Sequence, residues 1–266
     1  MLGALIGDIC GSRFEWANNK SKQFRFFTPQ CRPTDDSVMT LAVARALLQA
    51  DGKPELLPEK AVAAMQELGR AYPRAGYGGR FFDWIYRKNP QPYHSWGNGA
   101  GMRVSPCAWA AQTLEEALVF SDAVTSVTHD HPEGLKGARA VTAAVWLARK
   151  GKSLAEIREH IAMNYYTLDF TLDEIRPSYR FDVSCQGSVP QALEAFLEGD
   201  GFEDAVRGAV SIGGDSDTIA AMTGAAAEAF WGIPGEIREQ GMAFLDERQR
   251  EIVCAFEDRY GFGTER

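Results

Sequence analysis

The chain has 266 residues, 45% hydrophobic and 24% charged, enough for a sizeable core and without the bias of a disordered segment. Its formal net charge of -8 and pI near 5.1 argue against a general binder of phosphate backbones, whose affinity rests on clustered Lys and Arg. Five scattered cysteines, an odd number with no C-x-x-C pair, fit reduced thiols and a cytoplasmic setting rather than a disulfide framework.

Taken in order, the apolar stretch 2–9 lacks a basic leader, contains Asp8 and is too short for a membrane span or signal peptide, so it predicts a first core helix. Gly3, Gly7 and Gly11 recur at four-residue spacing, which lines one helix face with glycine and permits close approach by a neighbour. Asp8 and Glu15 fall in this apolar, glycine-rich setting. Thr34-Asp35-Asp36-Ser37 then opens an apolar run over 38–48 whose polar stripe is so narrow that the helix should be mostly surrounded by protein. One Asp at such a position is explained by capping of the orphan backbone N–H groups. Two, flanked by hydroxyls, ask for more.

A polar loop over 51–58 leads to an amphipathic helix at 59–70. Two glycine-rich loops follow, 72–80 and 95–103, which resemble neither a P-loop nor a dinucleotide fingerprint. Thr113 with Glu116, and Ser153 with Glu156, carry the capping-box pattern and open predicted helices at 114–127 and 154–163. Between them, Thr128-His129-Asp130-His131-Pro132 separates one helix from the next at 133–149. No cysteine or H-E-x-x-H arrangement supports zinc there. Residues 165–187 are irregular and aromatic, and short helices are expected at 189–197 and 202–210. The helix at 218–230 is nearly all small and apolar, so it should be central, and it stops at Gly232 with Pro234 beyond. The tail after 234 reads as amphipathic helices. Without alternating strand patterns or a repeat period, the expected fold class is all-α, one compact helical domain over 1–266.

The chemistry concentrates in Ser211-Ile212-Gly213-Gly214-Asp215-Ser216-Asp217-Thr218. Asp215 and Asp217 share a side only in an extended or turn conformation, and Gly213-Gly214 supplies the approach. With Thr34, Asp35 and Asp36 the set reaches four carboxylates and two hydroxyls. These are hard oxygen donors suited to magnesium, manganese or calcium rather than zinc or copper. Four carboxylates exceed the charge of one divalent ion, so a two-metal site with ions roughly 3.5–4 Å apart is expected. The ordinary alternative is a pair of unrelated N-cap clusters.

Several separated motifs now agree. They are Gly7-Asp8 through Glu15, Thr34-Asp35-Asp36-Ser37, Gly97-Asn98-Gly99 through Met102-Arg103-Val104-Ser105-Pro106, Thr128-His129 through Gly134, and Gly213 through Ala220. In residues, order and spacing they resemble the ADP-ribosylglycohydrolases from the N-terminus to about 234. That resemblance implies an all-helical fold of orthogonally packed helices and a binuclear magnesium centre, with manganese as the alternative ion, that hydrolyses the bond between ADP-ribose and its acceptor. It implies that Thr34, Asp35, Asp36, Asp215, Asp217 and Thr218 hold the ions, and that Glu15 approaches them in acid/base chemistry or gating. Gly97, Asn98, Gly99, Met102 and His129 match the region binding diphosphate and distal ribose. Tyr77, Gly78 and Gly79 resemble a bacterial branch that lines the same cleft.

Glycosidic cleavage needs a positioned water, a deprotonating carboxylate and an acid for the leaving group. Asp36 or a neighbouring ligand is the candidate base and Glu15 or another acidic residue the candidate acid. The expected partners are ADP-ribose and ADP-ribosylated substrates, with no membrane and with the chain acting as a monomer. The chain is short for the family, which leaves the acceptor open among arginine, serine, nucleic acid and O-acetyl-ADP-ribose. The rival readings are a crystallin-like ADP-ribose binder without activity, and a metal-dependent nucleotide phosphohydrolase.

Overall fold

Glycines at positions 3, 7 and 11 decide how the centre of the molecule is packed. In the computed structural model, which describes residues 1–261, they lie on α1 (Leu2–Gly11). A Cβ on Gly7 would strike the backbone of Ala220, and one on Gly11 would lie 2.6 Å from Asp217 Cα. Only glycine lets the two backbones come this close. The partner is α12 (Ser216–Trp231), buried from Ser216 to Ala229, so the small, apolar composition of that stretch is realised as a helix enclosed by others.

The remaining helices, in order, are α2 (Asp35–Ala50), α3 (Leu57–Ala71), α4 (Gly79–Ile85), α5 (Ser105–Ala110), α6 (Leu114–Thr125), α7 (Pro132–Arg149) and α8 (Leu154–Asn164). They continue as α9 (Leu172–Ile175), α10 (Cys185–Leu197), α11 (Phe202–Ser211), α13 (Gly235–Ala243) and α14 (Glu247–Tyr260). Around α12 pack α1, α7, α10 and α11, while α2 joins α1 to an outer layer with α3, α5 and α14. No strand occurs among the described residues, only an isolated antiparallel bridge between Gly97 and Ser184, and the all-α expectation holds.

Local chemistry explains most boundaries. Thr34 caps α2 by accepting from the Asp36 N–H, and Ser153 with Glu156 forms the reciprocal capping box expected at α8. At α6 only half of the box forms. Thr113 accepts from Glu116 N–H, but the Glu116 carboxylate reaches Gln112 N–H at 2.6 Å instead. The helices α4 and α5, in stretches read as loop or left unassigned, are short and turn-flanked, seven and six residues, with too few turns to show a period. Similarly, α10 begins four residues ahead of its expected start because Ser184 caps Gly187 N–H, and it runs through Pro190 at the loss of one helical bond.

Candidate functional site

Because α1 and α12 touch through glycine, Asp8 near the end of one lies beside the first turn of the other, and α2 brings its own first turn to the same place. Oxygens of Asp8, Asp36 and Asp217 all lie within 4.8 Å of one another. Oxygens of Glu15, Asp215 and Asp217 form a second such group, so Asp217 is common to both. The two helix entrances and the loop after α1 therefore converge.

Asp8 organises the first entrance. It is fully buried, and its Oδ1 accepts from Thr34 Oγ1 at 2.6 Å while Oδ2 accepts from the N–H groups of Thr34 at 2.8 Å and Ser37 at 3.0 Å and from Ser37 Oγ. Its oxygens are occupied, so it fits the role of holding Thr34-Asp35-Asp36-Ser37 in place better than that of a ligand. Asp36 differs. Its Oδ2 accepts from Thr218 Oγ1 at 3.2 Å, but its Oδ1 is buried with no hydrogen-bond partner among the described residues.

The second entrance is shaped by Gly213 and Gly214, both at φ 71°, a left-handed conformation that L side chains rarely adopt. The turn is tied down by Asn18, whose Oδ1 accepts from Gly214 N–H at 3.3 Å, and by Lys20, which donates to the carbonyls of Ile212 and Tyr179. These bonds link the loop carrying Glu15 to the turn carrying Asp215 and Asp217. Asp215 Oδ2 accepts from Asn98 Nδ2 at 2.6 Å, and Asp217 Oδ1 accepts from Thr218 N–H at 3.0 Å.

Burial pushes every one of these carboxyls above its ordinary range. Asp8 rises to about 6 and Asp35 to about 7. Asp36 is raised by burial and then by the charges of Asp8 and Asp35, and Asp217 by burial and then by Asp36 and Asp215. Asp215 is also raised by burial, and half-buried Glu15 is raised by burial and then by Asp215. Among the described residues no ion pair reaches Asp8, Asp35, Asp36, Asp215 or Asp217. Buried carboxylates without a counter-charge, an orphaned Asp36 oxygen and an all-oxygen donor set together fit a hard divalent cation.

These groups floor a cleft of about 520 Å³. Asp35, Asp36, Asp215, Asp217, Thr218 and Glu15 line it, as do Gly78, Gly79, Gly97, Asn98, Gly99, Met102 and His129. Thr34 lies behind the floor, its hydroxyl given to Asp8. Tyr77 does not line the cleft. Its ring packs on Phe81 at 5.6 Å, and its hydroxyl is buried with no partner. Gly76, at φ 116°, passes over Asp35 so closely that a Cβ would lie 3.2 Å from Asp35 Oδ1.

The 97–99 loop is anchored to the segment before α10, with Asn98 N–H donating to Val183 carbonyl at 2.7 Å and Cys185 N–H to Trp96 carbonyl at 2.9 Å. Beside it, buried His129 is held well below its ordinary pKa by burial and then by the Arg103 guanidinium, so it is neutral.

Four residues were missed as site residues in the sequence reading. Asp8 carried no spacing signal, being 26 residues from Thr34. Arg103 sat inside a quoted motif without a role, and Trp16 and Phe181, stacked at 5.0 Å at the cleft mouth, are 165 positions apart by their numbers.

The profile of the ADP-ribosylglycohydrolase family matches residues 1–259. The chain is similar to the ADP-ribosylhydrolase ARH3 of Bos taurus, with 25% identity over 88% of this chain and 84% of that protein. It is also similar to the ADP-ribosylarginine hydrolase Tri1 of Pseudomonas putida, with 27% identity over 52% of this chain and 39% of that one. A solved structure described as an ADP-ribosylglycohydrolase-related protein complex superposes with a TM-score of 0.65 at 22% identity, covering 97% of both chains, and shares the fold.

Proposed function

Because the chain belongs to the ADP-ribosylglycohydrolase family and is a hydrolase of glycosyl bonds, we propose that it releases ADP-ribose from an ADP-ribosylated acceptor through a binuclear magnesium site at the floor of this cleft. The observation that carries this reading is the pair of carboxylate groups, Asp8–Asp36–Asp217 and Glu15–Asp215–Asp217, joined through Asp217, with Asp36 Oδ1 buried and without a hydrogen-bond partner among the described residues. Thr34, Asp35, Asp36, Asp215, Asp217 and Thr218 would hold two magnesium ions, with manganese the next candidate, and Asp8 would brace the first entrance. Such ions supply charge balance for the carboxylates and Lewis acidity toward the ribose hydroxyls and the attacking water.

The chain's own groups do the rest. The Asp36 carboxylate takes a proton from the water. Glu15, its pKa raised by burial and then by Asp215, donates a proton to the departing group as the oxocarbenium-like state forms. Asn98 orients Asp215, and the 97–99 loop with Met102 and His129 holds the diphosphate and distal ribose. Gly78 and Gly79 line one wall of the cleft beside Gly76, and Tyr77 supports that wall from behind through Phe81. Trp16 and Phe181 stand beside Glu15, where the leaving group emerges. Arginine, serine, nucleic acid and O-acetyl-ADP-ribose are the acceptors to be tried.

We also propose one domain over 1–266, acting as a monomer in the cytoplasm. A connected core from Met1 to Phe256 and four buried free thiols support this reading. No helix among the described residues is long and apolar enough to cross a membrane.

The test is a panel of arginine-, serine- and nucleic-acid-linked ADP-ribose plus O-acetyl-ADP-ribose, with and without magnesium. Magnesium-dependent release of ADP-ribose from at least one conjugate is expected. Release of AMP or phosphate would replace the reading with phosphohydrolysis, and binding without turnover would replace it with an ADP-ribose binder.

A further inference from the structure

Arg103 is 1% exposed, yet among the described residues no carboxylate pairs with it. Its Nη2 donates to Thr128 Oγ1 and lies 3.2 Å from His129 Nδ1, while its Nε is buried with no partner among the described residues. Its charge rests against the Phe81 ring at 5.6 Å, and desolvation lowers its pKa to about 10, still protonated near neutrality. Buried cations without an anion are costly and are seldom kept for packing alone.

The bond to His129 has a consequence set by chemistry. A guanidinium has only donors, so His129 Nδ1 must be the acceptor, which leaves the imidazole proton on Nε2. Nε2 faces the glycine loop: a Cβ built on Gly99 would lie 3.3 Å from it, and one on Gly97 3.6 Å. No described protein group accepts from Nε2. A neutral donor with its tautomer locked from behind thus points into the cleft, above a buried positive charge.

We propose that Arg103 is a positioning residue for substrate anion recognition, fixing His129 as the Nε2–H tautomer so that it donates to a phosphate oxygen of a nucleoside-diphosphate sugar lying along the 97–99 loop. This rests on the reading that the cleft binds ADP-ribose. The guanidinium, paired with no carboxylate among the described residues and felt only at a distance by Asp35, adds a field favouring a dianionic substrate over a neutral one. Arg103 need not touch the ligand. It acts through His129, and the acidic floor is left to the sugar.

The test combines a spectrum with kinetics. Long-range ¹H–¹⁵N correlation of the histidines in the intact wild-type protein should show His129 protonated at Nε2 alone, unchanged from pH 6 to 8. Protonation at Nδ1 would overturn the proposal without any variant. Arg103→Met should raise KM for an ADP-ribosyl conjugate about tenfold with kcat within about twofold, and Arg103→Lys, which keeps a cationic donor, should recover most of the loss. If Arg103→Met unfolds, the Arg103→Lys variant and the wild-type spectrum still decide. An unchanged KM in a folded Arg103→Met protein would overturn the proposal. If wild type neither binds nor cleaves ADP-ribose while His129 is Nε2-protonated, the proposed function fails and the tautomer assignment stands.

Discussion

At and just behind the floor of the cleft Asp36, Asp215 and Asp217, with Asp8, are buried together, and among the described residues no cation pairs with them, whereas at Arg103, buried behind the 97–99 loop, no described carboxylate pairs with the guanidinium. The two ends are solved differently in the fold. The acidic end is braced by hydrogen bonds that leave Asp36 Oδ1 free, and the basic end passes its influence through a neutral imidazole. Among the described residues no ion pair joins the two ends, although the Asp35 charge still acts on Arg103 and partly offsets its desolvation. Their separation leaves one end suited to divalent cations and the other to an anion, as a ligand with a diphosphate and a ribose would require.

The contrast breaks most completely at Asp217, common to both carboxylate groups. Asp217→Asn should lower turnover by at least about 10²-fold and abolish the magnesium-dependent rise in Tm, measured by steady-state kinetics and by scanning calorimetry. Retained magnesium-dependent turnover would show that the carboxylates are ordinary caps. Asp8→Asn should act one step back, costing about 10–100-fold in magnesium affinity through the loosened Thr34–Ser37 entrance.

Acid sensitivity sharpens the same contrast. Unfolded carboxyls titrate near pH 4, whereas folded Asp8 titrates at about 6 and Asp35 at about 7, with Asp36, Asp215 and Asp217 also raised by burial. Between those limits the folded state binds more protons than the unfolded one, so stability is present at low pH and is lost as pH rises through the folded values. The metal-free protein should melt at a lower temperature at pH 8 than at pH 5.5, and magnesium should raise Tm more at pH 8. A Tm that rises from pH 5.5 to 8 without metal would contradict the assignment. The smallest effect belongs outside the cleft: in the Arg139–Asp122 pair the side chains are 43% and 33% exposed, and Asp122→Ala should cost only ~0.2–1 kcal/mol in urea unfolding without changing turnover.

What could be read from the residues alone follows the same division. Helices with a long apolar face, such as α2, α7 and α12, were legible because several turns repeat one pattern, and the acidic entrances were legible because their residues are adjacent. The glycine spacing of α1 announced a close neighbour but not which one. That neighbour is α12, which sets Asp8 beside Asp217, while α2 brings Thr34 and Ser37 onto the Asp8 carboxylate and makes it structural. Arg103 was unreadable for a related reason, since its meaning lies in a hydrogen bond to His129 and in the absence of a carboxylate, neither of which has a local pattern. Tyr77 shows the opposite failure. Its glycine-rich surroundings do reach the cleft, but the ring turns inward onto Phe81.

Calorimetric titration of magnesium into metal-free protein at pH 6, in two buffers of different ionisation enthalpy, tests metal binding at the acidic end most directly. Two ions per chain should bind with net release of protons, because carboxyls raised by burial must ionise to serve as ligands. Absence of binding, or binding with no buffer dependence, would contradict it.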